Sequence, residues 1–139
     1  MKTLEQLQLD NSYARLPAIF YSRHRPQPLG GSHLVHFNHA AAQLIGLDPG
    51  QATRGEFVEF ASGARLLPGS QPLALCYAGH QFGQYVPRLG DGRALLLTEV
   101  LAADGGKWDL QLKGSGPTLY SRGGDGRAVL RSTIREYLC

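Results

Sequence analysis

The sequence predicts an α+β fold, an antiparallel sheet followed by one helix that carries Glu136, and three observations predict it. A glycine turn (Gly90, Asp91, Gly92) leads into an apolar run. A second turn leads into an alternating stretch in which Trp108, Leu110 and Leu112 fall on one face and Asp109, Gln111 and Lys113 on the other, the period of a strand with one core face and one wet face. A glycine-rich loop then opens a segment whose Leu130, Ile134, Tyr137 and Leu138 recur with helical period. That order of parts suggests a phosphate-binding half-site.

Along the chain, residues 1–33 hold few periodic signals, and the tract from Arg23 to Gly31 reads as an extended connector. A short strand is expected from Leu34 to Phe37, after which Asn38 caps a helix of good propensity that Gly46 stops. Gly55 to Gly63 reads as a short helix or irregular turn with Phe57, Val58 and Phe60 buried. Pro68, Gly69 and Ser70 mark a soft boundary, which divides the chain into a capping extension (1–70) and a sheet-bearing part (71–139). The segment AGHQFGQY is a Gly-bracketed turn in which His80 is expected to be a structural, hydrogen-bonded histidine. With Asp125 as N-cap, the last helix has room to run from Gly126 to Leu138.

Lys113 ends the polar row of its strand and is followed at once by Gly114, Ser115 and Gly116, so its ammonium can project into a cleft. A solvated strand-end lysine is the plainer reading of that residue alone. The helix adds to it, because Glu136 lies at the edge of the apolar face, beside Val129 and away from Arg131 and Arg135, and is placed to reach Lys113. A strand lysine tethered by a glutamate of the following helix is the device a kinase-like site uses to hold phosphates. The tetrapeptide Gly-Asp-Gly-Arg occurs twice, at Gly90–Arg93 and Gly124–Arg127, and two such turns can offer backbone N–H groups and a guanidinium to one triphosphate. Each alone is an ordinary tight-turn signal. No Walker frame and no GxGxxG is present.

Composition narrows the classes. Of the 139 residues 42% are hydrophobic and 18% charged, one domain's worth with a modest core, and many of the 18 glycines cluster between Gly79 and Gly126, where backbone must turn or approach a ligand. A net charge of +3 argues for local anion sites more than for a nucleic-acid footprint, and no aromatic interleaving accompanies the Arg127, Arg131, Arg135 row. Two cysteines give no metal spacing or disulfide framework; with no signal core and no apolar run of membrane length, the expected setting is cytoplasmic, with no membrane partner. His33, His36 and His39 recur every third residue, but the change of structure expected at Asn38 points them apart, against a metal site.

Three segments, YAGHQFGQYVPRLGDGRA (Tyr77 to Ala94), WDLQLKGSG (Trp108 to Gly116) and YSRGGDGRAVLRSTIREYL (Tyr120 to Leu138), resemble the N-terminal signature of the selenoprotein O family, also called YdiU in bacteria. The resemblance implies a protein-kinase-like fold, here its N-terminal lobe with an N-terminal extension and without the C-terminal lobe. It implies transfer of AMP from ATP to Ser, Thr or Tyr hydroxyls of proteins, with Mg²⁺ or Mn²⁺. Carried over by position, Lys113 and Glu136 are the ion pair, and Gly90, Gly92, Arg93, Asp125 and Gly126 line the nucleotide. Pro117-Thr118-Leu119 and Gly123 depart from the family pattern, which leaves the shape of that loop open. The family's catalytic aspartate and metal ligands have no counterpart here, so the chain is expected to be a fragment, inactive alone, with an exposed apolar face where the other lobe docks. A phosphoryl-transferring kinase-like enzyme and a non-catalytic nucleotide- or nucleic-acid-binding module are the alternatives.

Overall fold

The computed structural model describes residues 1–139. In chain order its elements are β1 (Gln8–Leu9), β2 (Tyr21–Arg23), α1 (His39–Leu44), α2 (Gly55–Ser62), β3 (Leu73–Leu75), β4 (Gly79–Gln81), β5 (Gln84–Val86), β6 (Ala94–Leu101), β7 (Lys107–Lys113) and α3 (Leu130–Leu138), with four short 3₁₀ helices in the first 53 residues. The fold is α+β and its strand pairings are antiparallel.

The sheet is built around β6. One edge pairs with β7, from Ala94 opposite Lys113 to Leu101 opposite Lys107, with a bulge between Leu96 and Thr98. The other edge carries β1 near Val100 and β3 at Leu96, and β2 closes the sheet on β3. With strands on both edges of β6, every residue from Leu95 to Val100 is buried, and the two polar ones among them find partners: Thr98 donates to Asn11 Oδ1 and Glu99 accepts from Ser12 and Tyr13. The core joins Leu95, Leu97 and Val100 to Leu4, Leu7, Ala42, Leu47, Phe60, Leu67, Ala74 and Tyr120, so residues before and after position 70 share one sheet and one core.

Several expectations need correction. The first 33 residues supply two short strands, β1 and β2, and the expected connector begins with the last residue of β2. Residues 34–37 form no strand; they run without regular structure into α1, whose N-cap is Asn38 as expected, its side chain accepting from the Ala41 amide at 3.0 Å. In α2 only Phe60 is buried, whereas Phe57 and Val58 are half-buried. On β7 the alternation is present, but β7 is an edge strand: Leu110 and Leu112 are half-buried and Trp108 is exposed. Together with Phe37, Phe57 and Tyr137 they line an apolar cavity of about 580 Å³.

The last helix starts at Leu130, not Gly126, and Asp125 is not its N-cap. The Asp125 carboxylate instead accepts from the Arg127 amide at 2.9 Å, and Gly126, at φ +67°, is in the left-handed region that a helix excludes. Leu130, Ile134, Tyr137 and Leu138 are exposed, so the apolar face of α3 does not lie on the sheet. Side-chain bonds hold α3 at its C-terminal end: Glu136 to Lys113, and Tyr137 Oη to His36 Nδ1 at 2.5 Å.

Candidate functional site

The Gly90–Arg93 turn is pinned from below. Asp91 is buried, and its carboxylate accepts from the Leu75 amide at 2.9 Å and the Tyr77 hydroxyl at 3.1 Å. Burial and then the Asp91 charge push the Tyr77 phenol above its ordinary range, keeping it a donor. From the other side, the Thr118 hydroxyl donates to the Asp91 carbonyl at 2.5 Å and the Ser121 hydroxyl to the Gly92 carbonyl at 2.6 Å. The Tyr120 ring sits so close that a Cβ on Gly90, itself at φ +60°, would lie 2.3 Å from it. This glycine is required by packing. Of the turn's amides, Gly90 donates to Tyr77 O and Asp91 to Leu75 O, while those of Gly92 and Arg93 have no acceptor within the chain.

β7 delivers Lys113 beside this turn, and the Gly114 amide, donating to Arg93 O at 2.8 Å, ties the strand's end to it. At Gly114, φ +93°, an added Cβ would meet the Ala128 amide nitrogen at 2.6 Å; its absence lets the chain cross back and bring α3 alongside. Lys113 Nζ then lies 3.2 Å from Glu136 Oε2. Both side chains are about half exposed, so the pair contributes little to stability.

The turn, Lys113 and α3 enclose a polar cleft of about 340 Å³, within the range of small-molecule sites. Arg93, Arg122 and Arg135 join Lys113 there, four cations against the carboxylates of Asp91 and Glu136. With the Asp91 carboxylate facing Leu75 N and Tyr77 Oη, and Glu136 paired to Lys113, the cleft favours anions.

Of the residues singled out in the sequence, Gly90, Gly92, Arg93, Lys113 and Glu136 line this cleft, and Asp125 and Gly126 do not. Gly126 is buried against the Gly116 carbonyl, which an added Cβ would strike. Arg127 of the same tetrapeptide donates to the carbonyls of Gln27 (2.7 Å) and Gly114 (3.2 Å). The second Gly-Asp-Gly-Arg therefore fastens a loop crossing, whereas the first faces the cleft. Asp91, Tyr77, Arg122 and Arg135 were missed; the aspartate between two glycines is a turn signal that invites a search for its partners, and Arg135, expected on the flank away from Glu136, borders the cleft with it. His80 is also corrected: it is exposed on β4 with no hydrogen bond, its ring tilted against Tyr85 at 5.5 Å.

No three His, Cys, Asp or Glu side chains converge on a metal-binding geometry. His33 meets Gly31 O, His36 meets Tyr137, and His39 packs edge-on against Phe37. Both cleft carboxylates are engaged, Asp91 by the Leu75 amide and the Tyr77 hydroxyl and Glu136 by Lys113, so these residues by themselves do not build a site for Mg²⁺ or Mn²⁺.

Fold and cleft define an α+β protein with a cationic, glycine-walled cleft where its central ladder meets a helix. The family model described as "Protein adenylyltransferase SelO" matches residues 3–139, and the chain belongs to this family. It is 66% identical over 139 residues to "Protein nucleotidyltransferase YdiU" of Myxococcus xanthus, covering all of this chain and 28% of that protein. Proteins of the same name from Thioalkalivibrio sulfidiphilus and Thiobacillus denitrificans are 59% and 55% identical over 99% and 100% of this chain, again 28% of their length. The chain thus spans just over a quarter of these curated relatives. No helix is long and apolar enough to cross a membrane.

Proposed function

We propose that this chain is the nucleotide-binding segment of a protein adenylyltransferase. In this reading residues 71–139 are the nucleotide-holding half of a kinase-like N-terminal lobe and residues 1–70 its extension. The observation that carries it is the Lys113–Glu136 pair at 3.2 Å, lining a cationic cleft together with the adjoining Gly90–Arg93 turn. Lys113 and Arg93 neutralise phosphate charge as it redistributes, which is where preorganised cations lower a barrier most. Glu136 orients Lys113; paired to an ammonium, it is poorly suited to take a proton from a hydroxyl. The names of the relatives support nucleotidyl transfer, and a catalytic base is expected in the part of those proteins that this chain does not match.

ATP is the nucleotide, and the acceptors are protein Ser, Thr or Tyr hydroxyls. Attack on the α-phosphorus transfers AMP and releases pyrophosphate; attack on the γ-phosphorus would make the same pair serve a kinase. Incubation of the full-length protein with α-labelled and, separately, γ-labelled ATP distinguishes the two. Label on protein from the α-position alone is the expected outcome, and γ-label alone would replace the reading with phosphoryl transfer.

A further inference from the structure

The β4–β5 hairpin stands apart from the main sheet, pairing only with itself, and two-stranded ribbons hold together weakly alone. Its two-residue loop, Phe82 and Gly83, has φ of +52° and +77°, the twist that suits a tight hairpin, and it leaves the Phe82 ring 98% exposed. Phe82 and Arg122, the latter also at φ +52°, are the chain's two non-glycine residues with positive φ. They flank one contact: Arg122 Nη1 donates to Gln81 Oε1 at 2.6 Å, a bond joining the hairpin to the loop after Tyr120. Gln81 and Arg122 both line the cleft. One partner of this bond, Arg122, and the residue next to the other, Phe82, hold left-handed backbone beside a cleft, and such outliers recur at switch and clamp regions.

The bond is also one that a phosphate can displace. Gln81 offers a neutral amide oxygen, whereas a phosphate offers charged oxygens that fit a guanidinium bidentately. Gly123 and Gly124 follow Arg122, and a side chain on Gly123 would meet nothing, so the loop has room to turn. Given the nucleotide reading above, we propose that the β4–β5 hairpin is a lid over the cleft and that Arg122 is its latch, exchanging the Gln81 oxygen for a phosphate group of the bound nucleoside triphosphate.

Exchange predicts effects of opposite sign at the two partners. In the full-length protein, Gln81→Ala removes the competing acceptor and tightens ATP about threefold, whereas Arg122→Ala removes a charge-assisted contact and weakens it about tenfold. Gln81→Glu, which binds Arg122 as an ion pair, weakens ATP, although a simple brace would tolerate or prefer it. Adenosine, lacking phosphate, is bound equally by all four proteins. Calorimetric titration reads each affinity, with thermal unfolding run alongside to confirm folding. If both alanine variants weaken ATP alike, or if adenosine shifts as much as ATP, the latch is wrong while nucleotide binding stands; if the unaltered protein binds no ATP, the reading beneath it falls too.

Discussion

Lys107 and Lys113 close the two ends of β7, and their surroundings differ as a brace differs from a binding site. Lys107 Nζ lies 2.6 Å from Asp10 Oδ2 and 3.7 Å from Glu99 Oε1. Arg15 reaches the other Asp10 oxygen at 2.6 Å, and these two cations hold the Asp10 carboxyl at about 2, well below its usual range. Glu99, buried on β6, accepts from the Ser12 hydroxyl at 2.5 Å and the Tyr13 amide at 3.0 Å, so carboxylates at this end bind residues 10–15 to the sheet. At the other end Lys113 has Glu136 alone, with solvent and three arginines around it. The same residue type on the same strand is saturated with partners at one end and left able to gain one at the other. In the proposed reading, that difference separates an ion pair that serves the fold from one that serves a site.

The strongest test of the braced end is Glu99→Ala, which strands the Ser12 hydroxyl and Tyr13 amide beside a buried void. A loss of about 2–3 kcal/mol in denaturant unfolding is expected, with nucleotide affinity unchanged. A loss of affinity in a protein that unfolds normally would break the separation of the two ends.

A smaller effect should come from pH at the cleft end. His24 Nε2 accepts from the Leu119 amide at 3.1 Å, bracing the loop whose Thr118 and Ser121 pin the Gly90–Arg93 turn. Burial lowers the His24 pKa below its unfolded value of 6.5, so the unfolded chain takes up this proton first. The stability it contributes is full above pH 6.5 and is lost as pH falls from there through the folded value. Thermal midpoints measured between pH 7.5 and 5 should fall less steeply in His24→Gln than in the unaltered protein; identical slopes would remove His24 from the account.

Much of this was legible where local pattern and tertiary structure agree. The β7 alternation and the Asn38 cap follow from spacing, and the spacing also allows the approach of Glu136 to Lys113, which the fold then brings about. Strands β1 and β2, two and three residues long, are too short to show a period and exist because β6 and β3 offer edges to pair with. Glycine was the most ambiguous letter. Two copies of Gly-Asp-Gly-Arg read alike, yet Gly90 makes room for the Tyr120 ring beside the cleft and Gly126 makes room for the Gly116 carbonyl away from it. Nothing in the tetrapeptide decides which, because the neighbour that needs the space comes from elsewhere in the chain. The start of α3 was misplaced for the same reason, since the close approach at Gly126 holds it out of helical conformation.

The most direct measurement pairs the two lysines. ATP affinity and thermal midpoint would be determined for Lys113→Ala and Lys107→Ala in the full-length protein. The expected result is a loss of affinity on the order of a hundredfold with an unchanged midpoint for Lys113→Ala, and a lowered midpoint with unchanged affinity for Lys107→Ala. Equal losses of affinity in the two variants, or full ATP binding without Lys113, would contradict the assignment of the Lys113 end of the ladder as the nucleotide site.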